Sequence, residues 1–139
     1  MNAVPDSLRS AVIHRAGGRC EYCLLSQTGQ EATFHVDHID PISAGGASES
    51  SNLALACVSC SLRKGARRTV VDPISGESVP LFHPRSDDWH EHFFWNAERI
   101  VGRTATGRAT VEALAMNRPI ILAIRCEETL RGRHPPSTG

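Results

Sequence analysis

The sequence predicts an α+β domain with an N-terminal helix, a cysteine-stapled core and a C-terminal extension of strands and helices. Three observations carry this. Residues 5–16, 106–116 and 118–131 have helical apolar spacing, while residues 32–39 alternate as a strand does. Residues 72–84 and 93–104 look like hairpins. Two C-x2-C pairs, Cys20/Cys23 and Cys57/Cys60, flank the stretch FHVDHIDPISAGG.

Each element has a local reason. In PDSLRSAVIHRA (5–16), Pro5 to Ser7 supply helix-start signals, and Leu8, Ala11, Val12 and Arg15 follow helical spacing up to the stop at Gly17-Gly18. ATFHVDHI (32–39) is a β-rich strand that ends at Asp40-Pro41, before the flexible loop SAGGASESS. Residues 52–56 lead into the second cysteine pair. From Ser61, LRKGARR is expected as a helix carrying Arg63, Lys64, Arg67 and Arg68. The hairpin over 72–84 turns at Ser75-Gly76, and the two last helices part near Asn117-Arg118-Pro119. The expected organisation is a single domain over residues 1–139, with its core at about 17–70, an extension at about 71–131 and a disordered tail at 132–139.

Composition excludes some classes. A chain of 139 residues suits one domain with a modest core. No apolar run approaches the ~18 residues of a membrane span, and MNAVPDSLRS lacks the order of a signal peptide. A cytoplasmic location with reduced thiols is therefore expected. The 15 basic and 15 acidic residues balance, so a surface for nucleic acid must be local.

Of the five cysteines, four form the matched pairs. In a reducing compartment such pairs point to a tetrahedral zinc site closed by four thiolates. Disulfides compete less well there, and a redox motif would need a βαβ context. The long insert of residues 24–56 would be tied at its ends by the metal. Cys126 lies in an apolar helical pattern and is expected in the core, not as a ligand.

In order, the chain carries Cys20-x2-Cys23, Asp37-His38, Pro41, Gly45-Gly46, Asn52-Leu53, Cys57-x2-Cys60 and Lys64-Gly65. This series resembles the HNH endonuclease family, in its subgroup with a four-cysteine zinc site. The similarity runs from residue 7 to about residue 130, and DPISGESVPLFHPRSDDWHEHFFW resembles the region after the motif in stand-alone bacterial members. The resemblance implies a ββα-metal core, a β-hairpin and a helix around one divalent ion. It implies that His38 is the general base, that Asp37 binds the ion, and that Asn52 pins the loop that aims His38. Position 61, where the family places His or Asn as a further ligand, holds Ser61 here, a weaker and shorter donor.

The chemistry supports those roles from below. Phosphodiester hydrolysis needs a water deprotonated near neutral pH, and an ordinary imidazole titrates near ~6.5. It also needs charge neutralised on phosphate, which a hard ion such as Mg²⁺ or Mn²⁺ does as a Lewis acid. The zinc, with its shell full, has a structural task. His35 lies two residues before Asp37, on the same strand face, either as a neighbour of the ion or as a surface histidine. Asp40 is expected as a turn residue, His83, His90 and His92 as packing or surface residues, and Trp89 and Trp95 in the core. Arg63, Lys64, Arg67 and Arg68 form the dense basic run and are the expected phosphate contacts, with Arg15 and Arg19 adding to the patch. DNA is the expected partner. Two other readings stay open: a DNA-binding module with weak or no cleavage, because of Ser61, and a ribonuclease or toxin of the same fold.

Overall fold

The computed structural model describes residues 4–137. Helix α1 (Asp6–Arg15) starts after extended Pro5, carries Asp6 in its first turn and His14 and Arg15 in its last, and so matches its macrodipole at both ends. Gly17 and Gly18, at φ of 63° and 69°, end it in the left-handed region that glycine enters without strain.

Strands β1 (His35–His38) and β2 (Leu53–Ala56) pair antiparallel, with His35 opposite Ala56 and His38 opposite Leu53. All four residues of β2 are buried, whereas β1 buries Val36 and leaves His35, Asp37 and His38 half-buried. The hairpin thus has an apolar strand behind and a polar strand in front. Helix α2 (Val58–Lys64) follows directly. It begins earlier than the sequence implied and ends at Gly65, whose φ is 53°. Arg67 and Arg68 therefore lie beyond the helix rather than on it, a correction to the expected basic helix.

The rest of the chain forms two more hairpins and three helices. Strands β3 (Thr69–Val71) and β4 (Ser78–Pro80) pair around the Asp72–Glu77 turn. The single-turn helix α3 (Trp89–His92), which the periodicity did not reveal, is capped by the Asp88 side chain. It leads into β5 (Phe93–Asn96) and β6 (Arg99–Gly102), then α4 (Ala105–Ala113) and α5 (Pro119–Leu130). Among the described residues three two-stranded antiparallel sheets result, an α+β arrangement. One apolar cluster runs from Val12 through the cysteines, Phe82, Trp89 and Phe93 to Ile121. Among the described residues no helix is long and apolar enough to cross a membrane.

The extension is clamped by charge as well as by packing. Asp72 is fully buried, accepts from the Ser75 hydroxyl, and takes a bidentate pair of bonds from Arg108 of α4 at 3.1 and 2.9 Å. The Arg108 guanidinium holds the Asp72 carboxyl well below the usual carboxylate range. Trp89 packs against Phe93 and Trp95 as expected, and its indole donates to the Tyr22 carbonyl at 2.8 Å. That bond ties the extension to the first cysteine pair.

Two expectations fail here. Cys126 is exposed, because α5 turns Ile121, Arg125 and Glu128 inward instead. The tail is not free from residue 132: Arg133 is ion-paired with Glu128 at 2.7 Å, and the His134 ring meets the Ala97 carbonyl at 3.0 Å. Residues 138 and 139 lie outside the described residues.

Candidate active site

Two clusters of donor atoms are built into the β1–β2–α2 unit, one closed and one open. The closed one is the cysteine quartet. Each pair folds as a knuckle: the Cys23 amide donates to Cys20 Sγ at 3.5 Å and the Cys60 amide to Cys57 Sγ at 3.4 Å. All four sulfurs lie within 4.8 Å of one another and all are buried. Cys23 Sγ and Cys57 Sγ are 3.7 Å apart. A disulfide needs about 2.05 Å, whereas 3.7 Å is close to the edge of a tetrahedron with metal–sulfur bonds of about 2.3 Å. The donor set fits zinc.

The electrostatics agree with a metal centre. Hydrogen bonds from the other three thiols hold Cys23 well below the ordinary thiol range, while burial pushes Cys20 up. Hydrogen bonding to its neighbours, then burial, pushes Cys60 up. Cys23 is thus the readiest thiolate among these three, and a divalent ion would displace the protons of Cys20 and Cys60. Behind the cluster sits Arg125, only 2 % exposed. Its Nη1 donates to the Glu98 carbonyl at 2.8 Å, and its Nη2 has no partner among the described residues. Burial lowers the pKa of this guanidinium, and the sulfurs of Cys23 and Cys60 oppose that shift. A zinc held by four thiolates carries net negative charge, which a buried guanidinium offsets.

The open cluster lies on the polar side of the hairpin. Asp37, His38, Pro41, Ile42, Ser61, Gly65 and Ala66 line a shallow pocket of about 270 Å³. Asp37 and Ser61 therefore share a wall, with Ser61 directly after Cys60 on α2. The Ser61 hydroxyl is also 2.8 Å from His35 Nδ1. A hard divalent ion takes oxygen donors and keeps several waters, so a carboxylate and a hydroxyl in an open pocket fit such an ion.

His38 is held from three sides. Its Nε2 is 2.8 Å from Ser48 Oγ. Its carbonyl accepts from Lys64 Nζ at 3.0 Å. The next residue, Ile39, donates its amide to the Asn52 carbonyl at 2.9 Å. The Asn52 side chain accepts from the Asp40 amide at 2.8 Å and donates to the carbonyls of Asp40 and Ala47 at 3.0 and 2.9 Å. These three bonds close the loop from 40 to 52 and return Ser48 to the imidazole. Gly46 is required in that loop, since a Cβ there would collide with the Asp40 carbonyl.

Ser48 is the residue that sequence reasoning missed, hidden in a stretch that looks like a flexible linker. Lys64 is a correction. Expected as a phosphate contact, it is 2 % exposed, and its ammonium is spent on the carbonyls of His38 and Gly65. Burial lowers its pKa, with Asp37 and Asp40 acting in the other direction. Arg63, Arg67 and Arg68 are exposed, and Arg68 faces Asp40 at 3.7 Å with both side chains about half in solvent. Arg15 and Arg19 do not extend the patch: Arg15 bonds Ser50 and the Leu53 carbonyl, and Arg19 bonds the carbonyls of Leu24 and Arg133. His83 accepts from the amides of Arg85 and Ser86, and His92 bonds Thr104, both away from the pocket.

Compared with protein-family models, residues 20–67 match the one described as HNH endonuclease. No curated protein and no solved structure matches the chain.

Proposed function

We propose that the chain, whose residues 20–67 match the HNH endonuclease model, is a metal-dependent endonuclease that hydrolyses phosphodiester bonds in DNA. The observation that carries the reading is the geometry of His38. Its Nε2 is engaged by Ser48 at 2.8 Å, at the edge of a pocket that also exposes Asp37 and Ser61.

In this reading His38 is the general base. With Nε2–H donating to Ser48 Oγ, Nδ1 keeps a lone pair that takes a proton from the attacking water. The water oxygen bonds to phosphorus, the P–O3′ bond breaks, and the 3′ oxygen gains a proton from solvent. Mg²⁺ or Mn²⁺ at Asp37, with Ser61 beside it, would supply Lewis-acid stabilisation of the charge on the phosphate and the leaving oxygen. Asn52 acts through the loop, and Lys64 holds the His38 backbone. Cys20, Cys23, Cys57 and Cys60 would hold a zinc that ties the first cysteine knuckle to the start of α2 and meets no substrate. Arg63, Arg67 and Arg68 would meet flanking phosphates with little sequence preference.

The test is nicking of supercoiled plasmid with added Mg²⁺ or Mn²⁺, beside His38→Ala and with RNA offered in parallel. The parent should nick DNA and the variant should lose about 10²–10⁴-fold in rate, with zinc content and melting temperature kept. Equal nicking by both would remove His38 from the mechanism. Binding without cleavage by the parent would favour the alternative of a zinc-stabilised DNA-binding module, which the short donor at Ser61 supports. Preferential cutting of RNA would move the substrate to that class.

A further inference from the structure

We infer that His35 is a nitrogen ligand of the divalent ion at Asp37, which makes the pocket a mixed imidazole and carboxylate site suited to Mn²⁺ more than to Mg²⁺. This rests on the nuclease reading of that pocket and goes beyond it in assigning a ligand and an ion preference.

Three observations converge. On β1, residues two apart point to one face, so His35 and Asp37 share the polar side while Val36 turns into the core. His35 Nδ1 is 2.8 Å from Ser61 Oγ, and Ser61 lines the pocket beside Asp37. The hydroxyl at Ser61 is a weak donor to a metal, and the better donor within its reach is this ring nitrogen. His35 is half-buried, so its ring has few directions to take. A neutral imidazole with its proton on Nε2 presents the Nδ1 lone pair toward Ser61, the form a metal requires. The two histidines at the ends of β1 can thus divide the work, with His35 facing the ion and His38 facing Ser48.

The ion preference follows from ligand chemistry. Mg²⁺ favours oxygen donors and gains little from nitrogen. First-row transition ions accept imidazole, and Mn²⁺ is among those that also take carboxylate. Removing His35 should therefore weaken Mn²⁺ more than Mg²⁺.

The experiment uses the zinc-loaded full chain. Free Mn²⁺ is counted by its electron paramagnetic resonance signal during titration, and Mg²⁺ affinity is read by competition. His35→Ala and His35→Gln should each lower Mn²⁺ affinity by about tenfold or more, with a smaller loss for Mg²⁺. Asp37→Asn should lose both ions. Loss of Mn²⁺ affinity that exceeds the loss for Mg²⁺ is a signature that a merely structural role of His35 would not produce. Thermal unfolding checks that each variant is folded. If the His35 variants keep parental Mn²⁺ affinity and ion preference while Asp37→Asn loses the ion, His35 is not a ligand and the nuclease reading survives. If the parent binds no Mn²⁺ beyond its zinc, the ligand assignment and the metal-dependent nuclease reading fall together.

Discussion

The cysteine cluster and the Asp37–His38 pocket lie within one hairpin and one short helix, yet they are opposite in design. The four cysteines are between 0 and 4 % exposed, their sulfurs face one another, and no position is left for a substrate. The pocket residues are half-buried around an open space. Burial decides what a metal can do. A closed thiolate shell contributes stability and cannot polarise a phosphate, whereas an open oxygen and nitrogen site can admit one at some cost in affinity. The closed site also positions the open one, since Cys60 is followed directly by Ser61 on α2.

The largest effect that could break this contrast is loss of the zinc. Structural zinc in small domains is worth an apparent ~10–16 kcal/mol, comparable with or above the ~5–15 kcal/mol that holds a typical domain folded. Cys57→Ala, or prolonged chelation, should therefore abolish the cooperative thermal transition seen by circular dichroism. A sharp transition persisting in the variant would mean that the apolar cluster alone suffices. Zinc affinity should also fall as pH is lowered, because the Cys20 and Cys60 thiols are pushed up and hold their protons against the metal.

A smaller effect probes the open site. Ser48→Ala should slow cleavage by about tenfold through loss of imidazole orientation, without changing Mn²⁺ affinity. If metal affinity fell instead, Ser48 would belong to the ion site.

Next comes the extension, which the contrast leaves to ordinary packing and ion pairing. The folded-state pKa of Asp72 is depressed, so its contribution is present above the carboxyl's unfolded value near ~3.9 and is lost as pH falls below it. The parent should lose melting temperature through that acid range more steeply than Asp72→Asn. Parallel curves would show that the Asp72–Arg108 clamp is not coupled to folding.

The smallest expected effect is at the rim. Replacing Arg63 and Arg68 with Ala should reduce the salt slope of DNA binding by about two units if each meets one phosphate. The Arg68–Asp40 pair is about half in solvent and is worth little to stability. An unchanged slope would return both arginines to the solvated surface.

The sequence made the closed site legible for a physical reason. Matched C-x2-C spacing allows few geometries, and the sulfurs converge. The polar face of β1 was likewise accessible, because a two-residue period constrains it, whereas the role of Asn52 was legible only through the resemblance to the family. Lys64 was not, because a run of basic residues does not reveal which one the chain bends over: Gly65 ends α2 and carries Lys64 beneath β1. Cys126 failed because apolar periodicity in α5 does not identify Arg125 and Glu128 as inward positions, which depend on distant partners. Ser48 was hidden because a Ser/Gly-rich loop looks flexible until Asn52 closes it.

The central claim is that the two sites hold different ions for different tasks, and one staged removal tests it most directly. The zinc-loaded chain is treated briefly with chelator, then assayed in parallel for zinc content, ellipticity and plasmid nicking before and after Mn²⁺ is returned. The account predicts one zinc per chain and unchanged ellipticity throughout, no nicking in the stripped buffer, and nicking restored by Mn²⁺. Full nicking by the stripped chain with only its zinc bound would contradict it.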